Sequence, residues 1–391
     1  MVSTMKYFFN VIKSEYKHFF KESGAMLIMI IGVIAYSIFY MFPYSSEVIK
    51  DVPVAVIDND CSSLSKEFIR RLDASDSLKV VSKQIDVNTA KNKFFNNEIR
   101  GYIIIPNTFE KDILRGKQSV VSLYADSSYL ILYKSVYSGT VQTATELGAR
   151  IEVGKMMKKG MPKQLAMAIK QPFEFVTTPL YNPAGGYATY VYPMILILIL
   201  HQTLVVGIGL MQGTKYELKE SFCEEKKSNL NIDILAKCTA YVLLYLFYSI
   251  FYFLIYPALV VYPMSYNIIP LFMLLVPLFY GAALFSYTIS YFFKTRESAL
   301  LLLVVTSLIF IFIPGLIWPR EAIPNVINII SFFVPATCGV DGIIKINQMN
   351  ATFWDVKYDF LWLIFLCVLY FYTAKSVITK NCSKIGVNKK D

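Results

Sequence analysis

The chain has 391 residues but only two histidines, no C-x-x-C pair and no G-x-x-x-x-G-K-[ST] stretch. His18 and His201 are too few for a histidine-rich metal site, and Cys61, Cys223, Cys238, Cys338, Cys367 and Cys382 lack zinc-ligand spacing. Without a phosphate-binding loop the chain cannot hold ATP in that way. Charge is scarce too: 17% of residues are charged, against 55% hydrophobic and 15% aromatic, which excludes an ordinary soluble domain as the main body. From Cys238 to Phe293 there is no charged residue at all, so that stretch carries no ionisable proton relay.

What is present is apolar length. A helix rises about 1.5 Å per residue and must cross roughly 30 Å of hydrocarbon. Stretches 24–42, 187–211, 238–262, 268–293, 298–318 and 358–378 meet that requirement, the last with Lys375 snorkelling outward. The first stretch has a long apolar core and no small-residue cleavage site, so it is expected to stay as an anchor. The prediction is a polytopic α-helical membrane protein of six transmembrane helices, with an α/β domain inserted between the first and second. Lysines of the N-terminal arm 1–23, of loop 212–237, of the Lys294/Arg296 loop and of tail 379–391 fall on one side if six spans alternate. The positive-inside rule makes that side cytoplasmic, with both termini in the cytoplasm and residues 43–186 outside it. The net charge of +10 then sits beside an anionic leaflet of membrane lipid, so nucleic acid is not an expected partner.

Within 43–186, apolar runs and helix starts alternate, as in a small α/β domain. Val54–Ser65 reads V-A-V-I-D-N-D-C-S-S-L-S: a buried strand, then acids, then hydroxyls. Asp58 and Asp60 at a strand end could serve phosphoryl chemistry, since open α/β sheets bind ligands there. The serine-rich helix start that follows, and the lack of a later lysine and acids at strand ends, favour a strand-to-helix turn with Asx side chains bonding backbone N–H groups. Over 128–159, Leu130, Tyr133, Tyr137, Val141, Ala144, Leu147 and Ile151 recur at three- and four-residue spacing, which predicts one long amphipathic helix that stands the domain away from the membrane or packs against a partner. In the arm, Phe8, Val11, Ile12, Tyr16, Phe19 and Phe20 set against lysines predict an amphipathic helix on the inner leaflet.

Residues 319–357 are too apolar for an exposed loop and too rich in proline for a span. Pro314, Pro319, Pro324 and Pro335 are expected to start or end short helices of a re-entrant segment, and irregular backbone at that depth survives only under protein cover or along a water path.

At these residues the chain resembles the permeases of type-2 ABC exporters with a large extracytoplasmic domain. The resemblance is carried by P-G-L-I-W-P-R-E-A-I-P at Pro314–Pro324, Pro335-Ala336-Thr337, Ile346-Asn347-Gln348-Met349-Asn350-Ala351, Leu123–Tyr129 and Tyr181-Asn182-Pro183, together with Val54–Ser65. Asn350 stands where the family usually has glycine. The resemblance implies alternating access in a dimer with a second permease copy or a sister permease. It also implies two cytoplasmic ABC ATPase subunits that bind ATP and Mg, so this chain is not itself an enzyme and binds no cofactor. Loop 212–237 would insert a coupling helix into the ATPase, best matched by Lys215, Tyr216, Glu217, Leu218, Lys219 and Glu220. The outer mouth would be gated by Pro314, Trp318, Pro319, Pro324 and Pro335. A bacterial inner membrane, a periplasmic adaptor protein and an outer-membrane channel follow from the same branch, and the aromatic spans suit a hydrophobic or amphipathic substrate. The competing reading is a membrane-anchored surface or adaptor protein working through its outer domain. An anchor needs one or two spans, so six favour the transporter.

Overall fold

Eighteen residues of the N-terminal arm wind into α1 (Val2–Phe19), whose Phe8, Val11, Ile12 and Tyr16 lie against small residues of a later helix. The computed structural model describes every residue except 1, 42–47, 84–85, 171–172, 174–178, 183–184, 219–228, 261–266, 302–317, 319 and 388–391. It divides into one unit of Val48–Thr178 and another of Met1–Glu47 with Pro179–Asp391. After α1 the chain turns by 90°. Glu22 caps the next helix by accepting from the Ala25 N–H at 2.8 Å. α2 (Ser23–Met26), a π-helical stretch Leu27–Gly32 and α3 (Val33–Met41) follow without a break.

The first unit of the chain to form a sheet is Val48–Thr178. Its elements are β1 (Val52–Asp58), α4 (Ser63–Asp73), β2 (Leu78–Lys83), α5 (Val87–Phe95), β3 (Gly101–Ile105), α6 (Phe109–Leu114), β4 (Ser122–Ala125), α7 (Leu130–Lys158) and α8 (Lys163–Lys170). The strand order is β2-β1-β3-β4, parallel across β2, β1 and β3 and antiparallel at β4. The unbroken apolar run of β1 is what a strand covered on both faces requires. Val52, Val54 and Val56 pack with Phe68, Leu72 and Val136 on one side, and Ala55 and Ile57 pack with Ala90 and Tyr102 on the other.

Asp58 ends β1 as a turn-former. Its Oδ1 accepts from the Asp60 and Cys61 N–H groups at 3.1 and 3.0 Å, and its Oδ2 from the Ser65 hydroxyl at 2.7 Å. Asp60 accepts from the Glu110 N–H at 3.1 Å, tying the turn to α6. Both acids are thus engaged by the fold. Asp58→Asn should leave unfolding of this unit nearly unchanged, because the amide oxygen still accepts and the Ser65 hydroxyl can reorient. Asp58→Ala leaves buried donors unmet and should cost about 1–3 kcal/mol, read by proteolysis of the full chain across a urea series.

The buried face of α7 is Val136, Gly139, Thr140, Thr143 and Leu147, while Leu130, Tyr137 and Val141 are exposed. The helix lies so close to β2 that a Cβ on Gly139 would stand 3.0 Å from Leu78 Cγ, and small residues rather than the apolar stripe meet that approach. α5 stops at Phe95, because Asn97 takes φ +61°, outside helical space.

The other unit continues with α9 (Tyr187–Glu217), α10 (Leu230–Ile250), a π-helical stretch Phe251–Ile255, α11 (Tyr256–Val260), α12 (Ile268–Ile289), α13 (Asn325–Ser331), α14 (Pro335–Gln348) and α15 (Lys357–Val387). By length and composition four helices can cross a membrane: Tyr187–Glu217, Leu230–Ala258, Ile268–Ile289 and Lys357–Lys380. Two bent pairs, Thr4–Phe19 with Ser23–Phe39 and Asn325–Ser331 with Pro335–Gln348, also pass if each counts as one span. The stretch 298–318 is helical up to residue 301 and otherwise lies outside the described residues, apart from Trp318. Loop 212–237 is shorter than its lysines suggested. α9 runs to Glu217 and α10 starts at Leu230, so Lys215 and Lys237 are helical and buried rather than loop cations.

The π-helical stretch packs closely on α9: a Cβ on Gly207 would overlap the Met29 side chain, which is fully buried. Asn350 takes φ +51°, a backbone state that glycine enters freely and that asparagine tolerates best among other residues. The turn after Met349 thus takes a left-handed residue at this position, as glycine would.

Candidate functional site

An acid on the apolar side of an amphipathic helix is costly unless it finds partners. Glu15 shares its face with Phe8, Ile12 and Phe19 through four- and three-residue steps, and it is 1% exposed. Its Oε2 lies 3.5 Å from Lys215 Nζ at the end of α9, and its Oε1 accepts from the Tyr241 hydroxyl of α10 at 2.5 Å. Burial alone raises the Glu15 carboxyl, but Lys215, Lys237 and the Tyr241 bond outweigh it and hold the group below the ordinary carboxylate range. The carboxylate is therefore ionised and shared by three helices.

Neighbouring contacts extend this junction. Tyr7 donates to Asp233 at 2.7 Å and Tyr16 to the Ala240 carbonyl at 2.6 Å, fastening α1 along the first turns of α10. Glu22 pairs with Arg296 at 2.6 Å, and Thr214 donates to Glu22 at 3.3 Å. Glu217 accepts from the Arg296 N–H at 3.0 Å. Gly213 sits so close to this loop that a Cβ would lie 2.8 Å from the Thr295 carbonyl oxygen, a backbone atom that no rotamer change can move. The arm, the end of α9, the start of α10 and the 295–296 loop thus meet in one polar cluster.

Of the residues expected to couple to an ATPase, Lys215 is buried in this cluster, Tyr216 is half-buried, and Glu217 and Leu218 are exposed. Lys219 and Glu220 lie outside the described residues. Glu15 was missed by sequence reasoning. The signal was available, since it is an acid at a core position of an otherwise apolar stripe.

At the opposite end of α9 stands the proline-punctuated segment. Pro324 is the N-cap residue of α13 and Pro335 opens α14, where a missing N–H costs nothing. The two helices meet at 88°. Arg320 pairs with Asp341, and its guanidinium lies 5.3 Å from the Phe332 ring centre. Lys345 bonds Asp359 of α15 at 2.7 Å, Trp362 donates to the Phe332 carbonyl at 2.7 Å, and Gln348 donates to the Thr189 carbonyl at 3.0 Å. Close packing completes the seat: Cβ atoms on Gly339 and Gly342 would come within 2.8 Å and 2.5 Å of Leu278 and Leu274. The elbow is therefore built into the helical unit by α9, α12 and α15. Trp318 is exposed; Pro314 and Pro319 lie outside the described residues. His201, buried mid-helix in α9, stands beside Phe285.

These features form no catalytic constellation. They are two polar clusters at the two ends of one 31-residue apolar helix. A family model described as ABC-2 family transporter protein matches residues 24–374. No curated protein and no solved structure matches the chain.

Proposed function

The chain belongs to the ABC-2 family of transporter proteins and is thus a membrane subunit of an ABC transporter; from that premise we propose that it is the permease of an exporter. It moves a hydrophobic or amphipathic substrate outward by alternating access, as a dimer with a second copy or a sister permease. Membership in the family implies ABC ATPase partners, and the reading adds that these are separate cytoplasmic subunits supplying ATP and Mg. The chain lies in a bacterial inner membrane with both termini cytoplasmic and Val48–Thr178 outside, where a periplasmic adaptor and an outer-membrane channel would meet it.

The observation that carries this reading is the seating of Lys215 on Glu15. The residues that leave α9 toward the ATPase are not an isolated loop. A push on Glu217 and Leu218 reaches α1 through Lys215 and Glu15, reaches α10 through Tyr241, and travels along α9 to the elbow of α13 and α14. Packed helices shift as units, so a movement of one end of α9 is felt at the other.

Capture of the ATPase tests it. Glu217→Ala at the exposed end of α9, combined with Lys219→Ala, should weaken recovery of ATPase subunits on the purified chain on the order of tenfold, as loss of a central contact does. Glu217→Gln, which still accepts from the Arg296 N–H, should bind nearly as wild type. Wild-type capture by the double variant would move the coupling contact elsewhere between α9 and α10.

A further inference from the structure

Proline interrupts two of the long apolar helices, and at each a backbone carbonyl loses its helical donor. Pro257 follows the π-helical stretch Phe251–Ile255. The Tyr256 N–H reaches back to the Phe251 carbonyl, and Pro257 has no N–H to offer. The Tyr252 carbonyl therefore lacks a helical donor from either the fourth or the fifth residue beyond it. Tyr192 of α9 supplies one, its hydroxyl donating to that carbonyl at 3.0 Å. Pro193, the next residue in α9, releases the Thr189 carbonyl in the same way. Gln348 at the end of α14 donates to it at 3.0 Å.

Proline is tolerated in a span when neighbouring groups satisfy the freed carbonyls, which accounts for each of these bonds taken singly. It does not account for their succession. Tyr252 is 1% exposed, and its own hydroxyl donates to the carbonyl of Val33, the first residue after the other π-helical stretch, Leu27–Gly32. Such stretches inside α-helices recur at functional sites, and among the described residues these two are joined through one side chain that α9 holds from behind. The donors run in series from the elbow to the arm: Gln348 to Thr189, Tyr192 one turn further on to Tyr252, and Tyr252 to Val33.

Resting on the reading of the chain as an ATP-driven permease, we propose that Tyr192 and Tyr252 are positioning residues for transport. They pass a shift of the elbow to the two π-helical stretches, so that α3 and α11 move together.

Tyr192→Phe and Tyr252→Phe each remove one hydroxyl and keep the ring. In a reconstituted complex with its ATPase, each should lower transport per ATP hydrolysed about tenfold, the scale of one buried hydrogen bond. ATPase capture, whose proposed contacts are at the other end of α9, should stay at the wild-type level. Because the two hydroxyls act in series, the double variant should fall no further than either single one. Two independent braces would multiply to about a hundredfold; that result, or wild-type transport in either single variant, overturns the proposal. A second measurement needs no transport. Spin-labelled unnatural residues in place of the exposed Phe39 and Ala258 read the distance between α3 and α11 in the purified full chain. The distribution should be narrow with both tyrosines present and broad in Tyr252→Phe, and equal widths overturn the proposal. An inactive wild-type complex would overturn the transport reading instead and leave these widths to decide the inference.

Discussion

Glu15→Ala is expected to cost about 3–5 kcal/mol, the penalty of stranding a buried partner charge. The carboxylate pairs with Lys215, whose side chain is 11% exposed, so removing it leaves that buried cation without its anion. The Tyr241 hydroxyl loses its acceptor as well. A denaturant series in detergent should show the loss, and protease should open the arm before the rest of the helical unit. The rescue separates structure from coupling. Glu15→Leu with Lys215→Met replaces a buried pair by apolar side chains of similar volume, a change that is often neutral or stabilising. Stability should return toward wild type, while ATP-driven export should stay low because the α1–α9 link no longer carries a directed charge contact. If export returns with stability, the pair is structural only.

The second large effect is expected at the elbow. Asp341→Asn removes the counter-charge of Arg320, and Arg320→Ala removes both that pair and the contact with the Phe332 ring. Each should loosen α13 against α14 and cut export about tenfold or more, equivalent to at least roughly 1.4 kcal/mol of barrier. ATPase capture should be unchanged, since the proposed ATPase contacts are at the other end of α9. Reduced capture in these variants would show that the defect is global misfolding instead.

The sequence made some of this readable and hid the rest for physical reasons. The unbroken run Val52–Ile57 announced a strand buried on both faces, and Pro324 and Pro335 marked helix starts because proline fixes φ and lacks an N–H. Asp58 and Asp60 were legible as a turn from the hydroxyls that follow them. The stripe on α7 marked the helix but not its contact with the sheet, because periodicity counts apolar residues and cannot see that a helix pressed against a strand places Gly139 and Thr143 at the contact. Lys215 and Lys237 looked like loop cations for a similar reason. Their partner, Glu15, lies some 200 residues away in the chain, and only the folded arrangement brings the three together. The same holds for Arg320 with Asp341 and Lys345 with Asp359, pairs that fix the elbow but have no local pattern.

Alternating access driven by ATP is tested most directly at the elbow. Ile327 and Phe333 are each 44% exposed, so single cysteines there can be read by an impermeant thiol reagent, with peptide mass spectrometry separating them from exposed Cys61. In a reconstituted complex with its ATPase, reactivity at one or both positions should change between the nucleotide-free and ATP-trapped states. Unchanged reactivity at both, in a complex that still exports, would contradict the account and leave the α13–α14 elbow a fixed brace.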